Sequence, residues 1–261
     1  MRRILLAFQF LTIIPLSDTG EVPDREAGGA TAFFPLVGAV EGAALLMLAM
    51  VLLRVFPAEL VNGLLVLAMV ISSGGLHLDG LADTFDAIGS RGSREKKLAI
   101  MKESTVGPFG VIAIVMALLL RFLLLNALFL NSRLTEYYAA VFLMAVFSRW
   151  AMVPVIFHSR SARRDGLGKV FIDHTGHKEL LTATAFTVMI AVFAAGIVLR
   201  VPLLVFDLVF VMPVLYMVGF IAVRFFNRDL GGMTGDTFGA VYEISILLFL
   251  MMSVIWSQRY I

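Results

Sequence analysis

Seven apolar blocks limit what this chain can fold into, because each is long enough, or nearly so, to cross a lipid bilayer as a helix. They run over residues 33–56, 60–76, 108–130, 137–157, 180–199, 201–223 and 238–256. A hydrocarbon core of about 30 Å needs about 20 helical residues. Composition agrees. The chain is 60% hydrophobic with a mean hydropathy of +0.94, whereas soluble domains are about half apolar. Cysteine is absent, which excludes disulfides, thiolate nucleophiles and thiolate metal sites. No repeat, low-complexity tract or soluble linker interrupts the pattern. Residues 1–261 therefore read as a single membrane-embedded domain, an all-α polytopic bundle of about seven transmembrane helices.

The N-terminal stretch MRRILLAFQFLTIIPL begins like a signal peptide, with two arginines and an apolar run, but no small-x-small cleavage site follows. The run is also short for a full span. It is expected to be a retained interfacial or re-entrant helix.

Charge decides orientation. With the N-terminus in the cytoplasm, fifteen Lys and Arg residues fall on the cytoplasmic side and four, Arg54, Arg133, Arg200 and Arg259, on the other. This is the bias that orients helical membrane proteins. It places residues 74–102, 160–178 and 227–238 on one cytoplasmic face, so the polar segments suited to chemistry converge there.

The richest of these is GGLHLDGLADTFDAIGS at 74–90. Asp79, Asp83 and Asp86 are spaced i, i+4, i+7 and share one helical face. Three like charges on one stripe favour a cation among them, and a thiol-free oxygen set suits Mg²⁺, or Mn²⁺, rather than zinc. The plain alternative is a solvated helix end with one Asp capping a helix. His77, just before the cluster, is expected to support it by hydrogen bonding rather than to ligate directly.

A second motif, DLGGMTGDTFGAVYE at 229–243, combines glycines that let a backbone approach a ligand closely, Gly232 and Gly235 among them, with Asp236. A helix opening at about Thr237 would offer amide groups to an anion. Glu243 would lie inside the membrane, where a carboxylate is expensive. Residues 104–110, STVGPFG, carry Pro108 where a helix would start. The basic loop 160–171 suits phosphate and equally satisfies the positive-inside rule. His158, His174 and His177 show no metal spacing. Glu41 and Arg149 match in depth and form an expected buried pair, although Arg149 could instead face a substrate phosphate. Arg121 and Asp207 are expected to pair in the outer half.

Clustered carboxylates, a glycine-rich Asp loop and nearby basic residues fit metal-assisted phosphoryl transfer. No GxxxxGK[ST] or kinase set is present. A cation transporter is disfavoured because the acidic cluster lies on one side and no matching broken helices are evident.

GGLHLDGLADTFDA, the 104–110 stretch, GLGKVF at 166–171 and GGMTGDTFGA at 231–240, together with FPLVG at 34–38, resemble the cobalamin synthase family, the adenosylcobinamide-GDP ribazoletransferases. The resemblance implies an integral, Mg²⁺-dependent enzyme of the bacterial or archaeal cytoplasmic membrane with its active site facing the cytoplasm. It would join adenosylcobinamide-GDP to α-ribazole or its 5′-phosphate and release GMP. It implies metal-ligand and catalytic roles for Asp79, Asp83, Asp86 and Asp236. Lys102, Arg149, Arg160 and Arg163 become candidates for phosphate or corrinoid contacts. The implied partners are these small molecules and the bilayer, with no nucleic acid, and either a second copy or other enzymes of the same pathway. The acidic motif is also similar to that of the CDP-alcohol phosphotransferases. Here, however, Asp79-Gly80 lacks their following Arg and their later paired aspartates.

Overall fold

The computed structural model describes residues 2–14, 22–194 and 202–258, with side chains of 202–209 outside the description. The helices are α1 (Arg2–Leu11), α2 (Asp24–Gly29), α3 (Phe34–Leu52), α4 (Ala58–Ser72), α5 (Leu76–Gly89) and α6 (Arg94–Ile100), then α7 (Pro108–Asn131), α8 (Leu134–His158), α9 (Leu167–His174), α10 (His177–Ala191), α11 (Pro202–Asp229) and α12 (Gly235–Ser257). No strand occurs among the described residues. Six helical stretches are long and apolar enough to cross a membrane, and the bent pair α4–α5 makes a seventh if counted as one span. The chain is thus a polytopic helical membrane protein.

Helix α8 is the central post. It is apolar on every side and buried along nearly its whole length, as expected of a helix surrounded by others. Helices α3, α10, α11 and α12 pack around it. The α3 contact is the closest: Cβ atoms on Gly38 and Gly42, four residues apart, would lie 2.4 and 2.2 Å from the carbonyl oxygens of Ala145 and Phe142 on α8. Small residues at that spacing let two backbones meet where lipid supplies no hydrophobic drive between helices.

The second apolar block does not run straight into the aspartates, as a helix rising from Leu60 would. Helix α4 stops at Ser72, Gly74 and Gly75 take left-handed φ values of +61° and +76°, and α5 leaves at 86° to α4. A residue with a Cβ resists that conformation. The acidic helix therefore lies across the end of the bundle, packed on α12 and α7.

One face of the N-terminal helix packs into the bundle. Leu6, Ala7 and Leu11 are buried, the Leu11 carbonyl accepts from Arg149 inside the bundle, and the Ile13 amide donates to the Ser72 carbonyl at the end of α4.

The expected Glu41–Arg149 pair forms, at 3.0 Å. Arg121, 1% exposed, pairs with Glu243 of α12, a partner the sequence reading did not name. Sequence gives the depth of a charge along its own helix but not its neighbours, and α7 packs on α12, α5 and α4. The Asp207 side chain lies outside the described residues.

Removing one member of a buried ion pair strands the other, at about 3–5 kcal/mol, whereas replacing both is far milder. Arg121→Met should lower the thermal unfolding midpoint of the detergent-solubilised protein markedly, and Arg121→Met/Glu243→Gln should recover much of the loss. Equal midpoints for the single and double variants would contradict the pairing.

Candidate active site

The two acidic motifs meet where α5 crosses the first turn of α12. A Cβ on Gly80 would sit 2.6 Å from the Asp236 carbonyl oxygen, and Gly239 packs on His77 and Gly80. With backbones in contact, Asp79 and Asp83 on α5 come beside Asp236 on α12. Asp83 feels the negative charges of Asp79, Asp236 and Asp86, opposed by Arg163. Asp79 is exposed, and Asp83 and Asp236 are half-buried. The donor set is all oxygen. Among the described residues, no three His, Asp or Glu side chains close into a ready-made metal cage.

Asp86 has a different position from that expected of a third ligand. It is buried, and its two carboxylate oxygens accept from the Gly107 amide at 2.7 Å and the Gly110 amide at 2.9 Å. Gly110 lies in the first turn of α7, where amides have no partner within the helix. A carboxylate there also complements the positive end of the helix dipole. Asp86 thus caps α7 from a neighbouring helix and pins the 104–110 turn to α5. The i+7 spacing carries it past the meeting point of α5 and α12, which is why it does not join the other three.

Helix α12 starts at Gly235, two residues before the expected Thr237. The Thr234 hydroxyl caps it by accepting from the Thr237 amide, and also donates to Asp236 at 3.2 Å. Arg163 donates to Asp236 at 2.9 Å and to the Met101 carbonyl at 3.2 Å. One guanidinium therefore ties the basic loop, the acidic site and the turn that ends in Lys102. Lys102 and Arg160 are exposed. The Arg160 carbonyl accepts from the Met233 amide at 2.7 Å, and Gly232 packs against that same carbonyl, so the backbone of the basic loop holds the glycine loop. Lys97 of α6 pairs with Asp229 at the end of α11.

Arg149 is not at the rim. It is 0% exposed and donates to Glu41, to the Leu11 carbonyl and, at 2.6 Å, to Nε2 of His77. Its guanidinium also lies 4.6 Å from the ring centre of Tyr242, which stacks on His77 at 4.2 Å. All three guanidinium nitrogens bond to protein, so Arg149 props up the site from below.

Beside the carboxylates is a cavity of about 180 Å³. Asp79, Asp236 and His77 stand on its wall with Gly168 and Gly235, and the remainder is apolar: Phe10, Leu11, Phe34, Leu76, Met152, Ile156, Leu167, Phe171, Phe238 and Gly239. Sequence reading did not find this wall. Its members come from α1, α3, α5, α8, α9 and α12; several fall inside recognised motifs, but Phe10, Leu11, Met152 and Ile156 do not, and nothing in the motifs shows that they share one wall.

Asp86→Ala should leave two amides without acceptors, at about 2–3 kcal/mol, and speed hydrogen exchange at Gly107 and Gly110. Asp86→Asn, which keeps one acceptor, should lose less. Unchanged exchange in Asp86→Ala would contradict the capping role.

Residues 3–254 match the family model described as cobalamin-5-phosphate synthase. A relative from Geotalea daltonii named adenosylcobinamide-GDP ribazoletransferase is 34% identical over 260 residues, covering 100% of both chains. Relatives of the same name from Desulfitobacterium hafniense and Thermodesulfovibrio yellowstonii are 35% and 30% identical, covering 96% of this chain and 96% and 95% of theirs. No solved structure matches. A family match across nearly the whole chain, joined to full-length relatives above 30% identity, settles membership: this chain belongs to the cobalamin-5-phosphate synthase family of transferases.

Proposed function

We propose that this chain moves the phosphocobinamide part of adenosylcobinamide-GDP onto α-ribazole, or onto its 5′-phosphate, and releases GMP. The reaction would take place at the cytoplasmic end of the bundle. One observation carries the reading: Asp79 and Asp83 of one motif stand beside Asp236 of another, next to Arg163 and an apolar cavity. The names of the full-length relatives support the same transfer. The excess of Lys and Arg on the loops flanking the site supports the cytoplasmic facing.

The bond changes are those of a substitution at phosphorus. A ribose hydroxyl of the acceptor attacks the phosphorus that carries the corrinoid side chain. A new P–O bond forms as the bond from that phosphorus to the bridging oxygen breaks. GMP leaves with that oxygen, and the hydroxyl proton passes to a carboxylate of the cluster.

Asp79, Asp83 and Asp236 are the residues that would hold Mg²⁺, with Mn²⁺ as the alternative. Their oxygen donors fit a hard cation, and an open set fits an ion that keeps several waters and takes further oxygens from a phosphate substrate. When bound, such an ion supplies neutralisation of the pyrophosphate charge. Arg163 orients Asp236 and adds positive charge beside it. Lys102 and Arg160 would supply positive charge to a pyrophosphate or corrinoid. Gly232 and Gly235 keep the glycine loop and the start of α12 close to the site. Arg149 supports His77 rather than touching substrate, and Asp86 holds the 104–110 turn in place.

GMP release by the purified protein from adenosylcobinamide-GDP and α-ribazole phosphate, with and without Mg²⁺, tests this. Asp79→Asn and Asp83→Asn should lower metal-dependent release by about 10²–10³-fold or more, the scale of losing one electrostatic contact to a transition state, while both variants remain folded. Full activity in both would sink the metal assignment, and release of CMP from a CDP-linked donor instead of GMP would sink the reaction.

A further inference from the structure

We infer that the cavity walled by Phe10, Phe34 and Phe171 seats the fused aromatic base of the acceptor nucleoside, a benzimidazole, and so selects which nucleoside is used. The inference rests on the transfer proposed above and adds where one of the two substrates sits.

Position supports it first. Asp79 and Asp236 form one edge of the cavity. A nucleoside whose base fills the apolar part therefore presents its directly attached ribose, and the hydroxyl that must react, to those carboxylates. No part of a distant loop has to move to bring the hydroxyl there.

The chemistry of the wall is the second support. Phe171 meets Phe10 edge-on, with ring centres 4.8 Å apart, and Phe34 at 5.8 Å in a T-shaped contact. Such a cluster offers faces and edges to a planar ring. Polar side chains are few: Asp79, Asp236 and His77. Guanine carries an amide and an amino group on one edge. Each polar group buried there without a partner would weaken binding by about tenfold or more. A dimethylbenzimidazole is hydrocarbon apart from its two ring nitrogens, one of which bears the sugar. The wall therefore suits the base of the acceptor and disfavours that of the departing GMP.

Size is the third. A cavity of about 180 Å³ is on the scale of a bicyclic base and small for a corrin macrocycle. His77 refines the fit. Arg149 can only donate, so Nε2 of His77 accepts from it and the ring hydrogen sits on Nδ1. That N–H is a donor of the kind the unsubstituted ring nitrogen of the base accepts, and the Tyr242 ring packs against the imidazole with centres 4.2 Å apart.

Equilibrium dialysis of labelled α-ribazole, combined with separate KM values for acceptor and donor, tests the inference in the intact solubilised protein. Leu167→Trp is the first variant, because Leu167 lines the cavity yet is 57% exposed, so a larger side chain narrows the mouth without entering the core. Phe171→Ala, which widens the cavity, is the second. Both should raise the α-ribazole Kd and the acceptor KM by about tenfold, close to 1.4 kcal/mol, with donor KM moving less than about twofold, and excess guanosine should not displace α-ribazole. If donor KM rises instead, or neither constant moves while wild type releases GMP, the base seat is wrong and the transfer stands. If wild type releases no GMP, the transfer reading falls. Dialysis then judges the cavity alone, where Leu167-sensitive α-ribazole binding upholds it. No α-ribazole binding, or displacement of the label by a fluorescent fatty acid alone, overturns it.

Discussion

The backbone contact between α5 and α12 is the constraint on which the site depends. Two carboxylate-bearing segments far apart in sequence become one cluster only because Gly80 and Gly239 let the helices touch. The left-handed Gly74–Gly75 break turns α5 by 86° so that it can lie across α12 at all. Arg163 then partly balances the charge brought together, bonding Asp236 on one side and the Met101 carbonyl on the other. Without the break the aspartates would continue along α4, and without the glycines they would stand a side chain further from Asp236.

Below this contact lies a second set of charges that a membrane interior tolerates only in pairs. Glu41, Arg149, His77 and Tyr242 form one connected group, and Arg121 with Glu243 forms another. The Ser72 hydroxyl donates to Glu41 from the end of α4. The Arg149 group joins α1, α3, α5, α8 and α12, five of the six helices that wall the cavity. The same polar core that is costly to bury therefore fixes the relative positions of the elements that make the site, and it does so from the side away from solvent.

Much of this was legible in the sequence. Apolar block length gave the bundle, the i, i+4, i+7 spacing gave a carboxylate stripe, and matched depth gave the Glu41–Arg149 pair. Four things were not legible, each for a physical reason. The break at Gly74–Gly75 was hidden because two glycines beside an apolar run read equally well as a turn after a span. The tie of Asp86 to Gly107 and Gly110 required knowing that α7 starts beside α5, and the Arg121–Glu243 pair required knowing which helices are neighbours. Periodicity describes one helix at a time. The Phe-lined cavity was invisible for the same reason, since residues from six helices contribute to it and most of them look like ordinary apolar positions on their own helix.

The central claim is that Asp83 of α5 and Asp236 of α12 act on one divalent ion. The most direct measurement is electron paramagnetic resonance of Mn²⁺ bound to the solubilised protein in the presence of a pyrophosphate donor, for wild type, Asp83→Asn, Asp236→Asn and the double variant. One site shared by both helices predicts that each single change weakens the same bound Mn²⁺ and that the double change adds little beyond either. Full Mn²⁺ binding in either single variant, or two losses that simply add, would contradict it.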